Sequence, residues 1–179
     1  FYTKLENVFL LEETGTDSDG NIVLERINGS GAVVQGINME GKVVPLKNMQ
    51  FQFGVTLQKS EYAEAQQWSN NENLLPQKKM FRSPGHYGYL TASYQAVKNF
   101  NVSLSGTYTG SMLVQHFAGY IPEDTEVTTP DFFDLNLKLS CDFNLSSSTK
   151  LQLNGGIQNI FNSYQDDFDK GEFRDAGYI

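Results

Sequence analysis

Few side chains in these 179 residues are of the kinds that carry out chemistry. There are two histidines, His86 and His116, and one cysteine, Cys141. Zinc and redox sites draw several Cys, His or carboxylate groups from short, repeated spacings. None of these three residues has such company, so neither a metal site nor a bound cofactor is expected. Ser, His and Asp all occur, but no Gly-x-Ser-x-Gly elbow does, and no catalytic residue is expected. Asp17-Ser18-Asp19-Gly20 opens like a calcium loop but lacks the third acidic position and the closing Glu. A turn built on Asp and Gly explains it. Asp166, Asp167, Asp169 and Glu172 form a denser acidic set, read first as a solvated loop and second as a loop calcium site. Asn28-Gly29-Ser30, Asn101-Val102-Ser103 and Asn144-Leu145-Ser146 match the glycosylation triplet by chance.

The aromatic residues offer a different chemistry. Trp68, Phe117, Tyr120 and Tyr164 fall in or beside long connections. Exposed rings there can stack on a sugar, a corrin or a siderophore, or pack one loop against another. These four are the candidates for substrate contact. The formal net charge of -8 leaves no cluster of Lys and Arg for phosphates. Nucleic acid is thereby excluded as a partner, and so is a polybasic anchor on a membrane surface.

The elements that would position these residues alternate with period two. Over residues 131–145, Phe133, Leu135, Leu137, Leu139, Cys141, Phe143 and Leu145 share one parity. Asp134, Asn136, Lys138, Ser140, Asp142 and Asn144 hold the other. Successive strand side chains point to opposite faces, so one face is oily and one wet. Residues 100–114 repeat this, with Gly106 and Gly110 on the apolar parity, and so do 49–57. Weaker alternation covers 88–97 and 150–161, and fainter alternation 2–11 and 32–44. That makes about seven strands and no convincing helix. Several runs exceed the ~5–6 residues of a globular strand and suit the ~9–11 of a tilted membrane-spanning one. No run of ~18 apolar residues exists, so there is no transmembrane helix. Charged residues are only 19% of the chain, below the ~25% usual in soluble domains.

The connections alternate as well. Residues 45–48, 97–99 and 144–149 make short turns, whereas 12–30, 62–84, 117–130 and 162–179 are long, and acidic residues crowd them at Asp17, Asp19, Glu123, Asp124, Glu126, Asp166, Asp167, Asp169, Glu172 and Asp175. Outer-membrane barrels keep short periplasmic turns and long external loops, where charge is cheap. Tyr62, Tyr87, Tyr89, Phe100, Phe117, Phe132, Phe143, Phe161 and Tyr164 lie near strand ends, as an aromatic girdle would. The sequence therefore predicts an all-β, antiparallel transmembrane β-barrel fragment. Cys141 and Leu137 would face lipid, and Asn136 the interior. An odd strand count cannot close a bacterial barrel, so residues 1–179 are expected to be the C-terminal portion of one barrel domain, short of its last strand.

The residues Asn159-Ile160-Phe161-Asn162 through Gly171, followed by Arg174 to Ile179, resemble the region before the last strand of TonB-dependent receptors. The likeness is strongest to non-SusC-type receptors of the Bacteroidetes. Ser30-Gly31 to Glu40, with Gly36, is similar to the family's strand after an external loop. Arg82-Ser83-Pro84-Gly85-His86 is similar to the entry into its next descending strand. The resemblance implies a bacterial outer-membrane receptor with a barrel of about 22 strands, filled by an N-terminal plug domain that this chain does not contain. Such receptors import scarce nutrients: siderophore iron, haem, cobalamin or glycans. The implied partners are outer-membrane lipid, the plug, the TonB complex acting through the N-terminal part, a nutrient at the external loops and, in some members, a surface lipoprotein. Two other readings stand beside it. A passive porin or other barrel would lack an upstream plug, and a soluble carbohydrate-binding β-sandwich would pack its apolar faces on each other.

Overall fold

The computed structural model of the chain describes residues 1–119 and 121–164, and among them there are strands and turns but no helix. In chain order the strands are β1 (Tyr2–Leu5), β2 (Phe9–Thr16), β3 (Ile22–Asn28), β4 (Ala32–Leu46), β5 (Met49–Gln66) and β6 (Gln77–Lys79), then β7 (His86–Val97), β8 (Phe100–Thr109), β9 (Leu113–His116), β10 (Thr125–Thr128), β11 (Phe132–Asn144) and β12 (Lys150–Ile157). One antiparallel sheet runs β1-β4-β5-β7-β8-β11-β12, with β6 paired to β5. The pairs β2-β3 and β9-β10 are separate hairpins inserted in long connections.

Seven strands on the main path match the seven that alternation predicts. The pairing also keeps the parities in step across the sheet. Phe51 lies opposite Ala92, Ala92 opposite Leu104, Leu104 opposite Leu137, and Leu137 opposite Ile157. On the other face Gln52, Thr91, Ser105 and Asn136 line up in the same way. A slip of one residue would invert every side chain, so this register is what makes one face continuously apolar. Cys141 sits on that face between Phe100 and Leu153. The sheet does not close on itself; β1 and β12 are its edges.

The short turns gather at one end. Leu46 pairs with Met49 and Asn144 with Lys150, while the β7-β8 turn is tied to its neighbour by Gln95 N donating to Asn48 O at 2.8 Å. Pro45 has no N–H for the ladder, and the register shifts between Val43 and Leu46 accordingly. The long connections gather at the other end.

The structure departs from alternation where the backbone must turn. The run 2–11 is broken between β1 and β2, and Asn7 there has φ 54°. Asn tolerates this left-handed region better than most residues. The run 100–114 stops at Thr109, and at Gly110 the His86 ring occupies the place a side chain would need. The run 150–161 stops at Ile157. Asn159 and Asn162 both take left-handed φ, 48° and 51°, and turn the chain. Asn159 N donates to Asn136 Oδ1 at 2.9 Å and Ile160 N to Leu135 O at 2.8 Å, which pins this turn to β11. The girdle also divides. Phe100 and Phe143 are on the apolar face, but Tyr87, Tyr89 and Phe132 have the parity of Thr56, Thr107 and Thr109, on the polar face. Sequence position near a strand end does not say which way a ring points.

Candidate functional site at the loop end

Above the sheet, on the side of the long connections, two loops are joined into one body. Residues 67–85 fold back along β5: Met80 N donates to Ser60 O at 3.1 Å, and Gln58 N to Gly85 O at 2.8 Å. Ser83 Oγ donates to Ser60 Oγ at 2.9 Å. Residues 110–131 carry the β9-β10 hairpin, and Arg82 N donates to Leu113 O at 2.8 Å. Arg82 itself has φ 55°.

Trp68 is the centre of this body. It is 4% exposed. Its ring meets Phe117 edge-on at 5.3 Å and Phe81 at 5.8 Å, an arrangement the ring quadrupoles favour. Its indole N–H donates to Glu126 Oε1 at 2.9 Å, and Gln77 Nε2 donates to Glu126 Oε2 at 3.1 Å. Beside it, Asp124 accepts from Ser69 Oγ at 2.5 Å and from Ala118 N at 2.6 Å. A carboxylate buried to 6% exposure needs such donors.

A cavity of about 590 Å³ lies against this cluster. Trp68, Phe81 and Phe117 form one wall, Tyr62 and Gln66 of β5 another, and Phe9 and Leu11 of β2 a third. Tyr62 shares the parity of Thr56 in unbroken register, so the cavity lies on the polar side of the sheet. Arg82 and Glu12 contribute one charge of each sign. The walls can bind a flat or ring-bearing molecule by stacking, with few charges to satisfy.

Of the four candidate aromatics, Trp68 and Phe117 are brought together at this cavity. Tyr164 is 56% exposed beyond the end of β12, where its hydroxyl donates to Asn162 Oδ1 at 2.6 Å. Tyr120 lies outside the described residues, as do Asp166, Asp167, Asp169 and Glu172. Phe9 and Leu11 of the β2 wall fall within the alternating run 2–11, but the hairpin that returns through β3 has no such mark, because residues 12–30 show no alternation.

The Asp17 carboxylate is occupied by its own turn. Its Oδ1 accepts from Asp19 N and Asn21 N, both at 2.9 Å, and its Oδ2 from Asn21 Nδ2 at 3.0 Å. These bonds, with the Asn21 side chain foremost, hold its pKa below the ordinary value. Asp131, in the connection before β11, is also held low, chiefly by the Tyr108 hydroxyl and then by Ser111 N–H. Among the described residues no three metal-binding side chains gather.

A comparison with curated protein sequences finds no match. Among solved structures, the chain is similar to the crystal structure of the ferric-catecholate import receptor Fiu from E. coli K12, closed form. The TM-score is 0.57 at 21% identity, over 92% of this chain and 20% of that one. The chain thus spans about a fifth of that receptor's length, and the likeness concerns the fold. The family model described as TonB dependent receptor-like, beta-barrel matches residues 1–160, a span that holds all twelve strands. This chain belongs to that family of receptor β-barrels.

Proposed function

We propose that the chain forms a C-terminal part of the barrel wall of a bacterial outer-membrane receptor. That receptor binds a scarce nutrient at its outer loops and passes it inward. The apolar face faces lipid. Ile37, Met39, Leu153 and Ile157 are each more than half exposed on it, and a contiguous apolar surface of this kind needs a cover. The polar face, rich in Ser, Thr, Asn and Gln, faces the plug domain and lumen, where it can hydrogen-bond at low charge cost. The TonB complex acts through the part of the protein N-terminal to this chain, and a surface lipoprotein is a further candidate partner. The Asn159-Ile160-Phe161-Asn162 turn supports the Bacteroidetes-type subfamily.

The observation that carries this reading is the aromatic cavity on the polar side, at the loop end of a sheet with this family's strand pattern. Among siderophore iron, haem, cobalamin and glycans, a ferric catecholate is the first to test, because the structurally similar receptor imports one. Iron-starved cells of the source organism, with and without the whole gene, are given radiolabelled ferric catecholate. Uptake is expected to fall on deletion of the gene and equally on loss of TonB. Uptake that survives loss of TonB would indicate a passive channel, and uptake unchanged by the deletion would remove this substrate.

A further inference from the structure

The apolar face is not evenly filled. Gly88 and Gly106 stand diagonally next to each other on it, since Tyr108 pairs with Gly88 and Leu90 with Gly106. With no side chains at these positions the face dips into a notch of about 280 Å³. Val55 and Leu57 wall it on one side, Tyr108 and Phe133 on the other, and Leu90 at the bottom. Neither position takes a side chain without a shift of its neighbours, and the edge of the Phe133 ring leans over Gly106. A Cβ on Gly88 would come 2.6 Å from the Gly54 carbonyl oxygen, and one on Gly106 would come 3.2 Å from Phe133 Cζ.

At its outer end the notch meets a chain of hydrogen bonds. Tyr108 donates its hydroxyl proton to Asp131 Oδ2 at 2.7 Å. Its lone pairs are then left to accept from His86 Nε2, 3.0 Å away. That fixes the proton on Nε2 and leaves Nδ1 as the imidazole nitrogen outside this chain of bonds. From His86 to Leu90 the notch runs about 13 Å along the strands, at ~3.3 Å per residue.

The geometry points to a seat for one acyl chain of an outer-leaflet lipid. Its methylenes lie over Gly88, between Val55 and the Phe133 ring that covers Gly106, and its polar linkage lies beside His86, Tyr108 and Asp131. The notch is continuous with the face that the bilayer covers. Left empty it forfeits contacts on every wall, and water in it would find no partners below the His86 level. This rests on the membrane placement proposed above but not on the identity of the nutrient.

The test uses the full-length receptor in phosphatidylethanolamine vesicles doped with the same lipid carrying a diazirine on its acyl chain. After irradiation, labelled peptides are mapped by mass spectrometry. Label is expected to concentrate at the notch and to be lost there in the double variant Val55→Phe, Leu90→Phe, which fills it from one wall and the bottom. Leu153→Phe, on the same face away from the notch, keeps the notch label. If the double variant does not assemble, Gly106→Ala raises the floor instead and should also lose the label. Label spread evenly over the apolar face, or retained in the filled variants, overturns the proposal. So does a receptor that is dimeric by native mass spectrometry with its notch unlabelled while Leu153 is labelled, which would make the occupant a second copy. Absence of label from the whole apolar face, Leu153 included, would overturn the membrane placement itself.

Discussion

Arginine at Leu137 is the sharpest probe of which face meets lipid. Leu137 lies on β11, a strand of 13 residues. At ~3.3 Å per residue β11 is about 43 Å long, and tilted by ~40° it stands about 33 Å tall, enough to cross a ~25 Å apolar band. Leu137 is one residue from its midpoint, opposite Leu104 on one side and Ile157 on the other. An arginine there sits close to the bilayer midplane and costs ~2–4 kcal/mol. That lowers the folded-to-unfolded ratio by about 30-fold to 900-fold. The matched control is Thr91→Arg, on the polar face between Gln52 and Ser105. Asn136, the sequence neighbour of Leu137, is a poorer control than the alternation alone implies, because its side chain holds the Asn159 turn and donates to Asp134 Oδ2 at 2.7 Å. The assay is urea unfolding of the full-length receptor in lipid vesicles, followed by its heat-dependent gel mobility. Leu137→Arg should lose several times more stability than Thr91→Arg. Equal losses, or a larger one at Thr91, would refute the assignment of faces.

Three further outcomes follow from the same geometry. Trp68→Ala should cost about 3–5 kcal/mol of local stability, seen as faster hydrogen exchange in residues 67–85 and 113–128. Faster exchange throughout the main sheet would contradict the view that this ring's structural role is confined to tying the two loops together. Gly88→Ala, whose methyl would press on the Gly54 carbonyl, should lower the unfolding free energy in urea by about 1–3 kcal/mol, whereas Gly155→Ala, with nothing within 4 Å, should be neutral. The Asp17 carboxyl should titrate below 3.8 by NMR. Its folded pKa is depressed, so its contribution to the β2-β3 turn is full above the unfolded value and is lost as pH falls through the folded one. Asn21→Ala should raise that midpoint; no change would count against the turn.

Alternation carried the fold because a two-faced sheet writes its register into every second residue. Val102, Leu104 and Gly106, or Leu135, Leu137 and Leu139, can be placed on one face from the sequence alone. The strands that escaped are those without two different faces. β2 and β3 stand up among other loops, and β9 and β10 have four residues each. The tops of β4 and β5 were readable only in part, since β5 runs on to Gln66 after its alternation fades at Leu57. At the site, the residue types were legible and their company was not. Trp68 and Phe117 are far apart in the chain, and only the pairing of their two loops makes them neighbours. Left-handed Asn159 and Asn162 show why the Asn159-Ile160-Phe161-Asn162 element ends a strand, although it reads as the tail of one.

The most direct test of the central claim is the intact mass and membrane fraction of the native polypeptide that contains this sequence. A protein several times the 20.1 kDa of this chain, found in the outer membrane with peptides from an N-terminal plug, is what the receptor reading predicts. A 20.1 kDa species that stays in solution without detergent would contradict it.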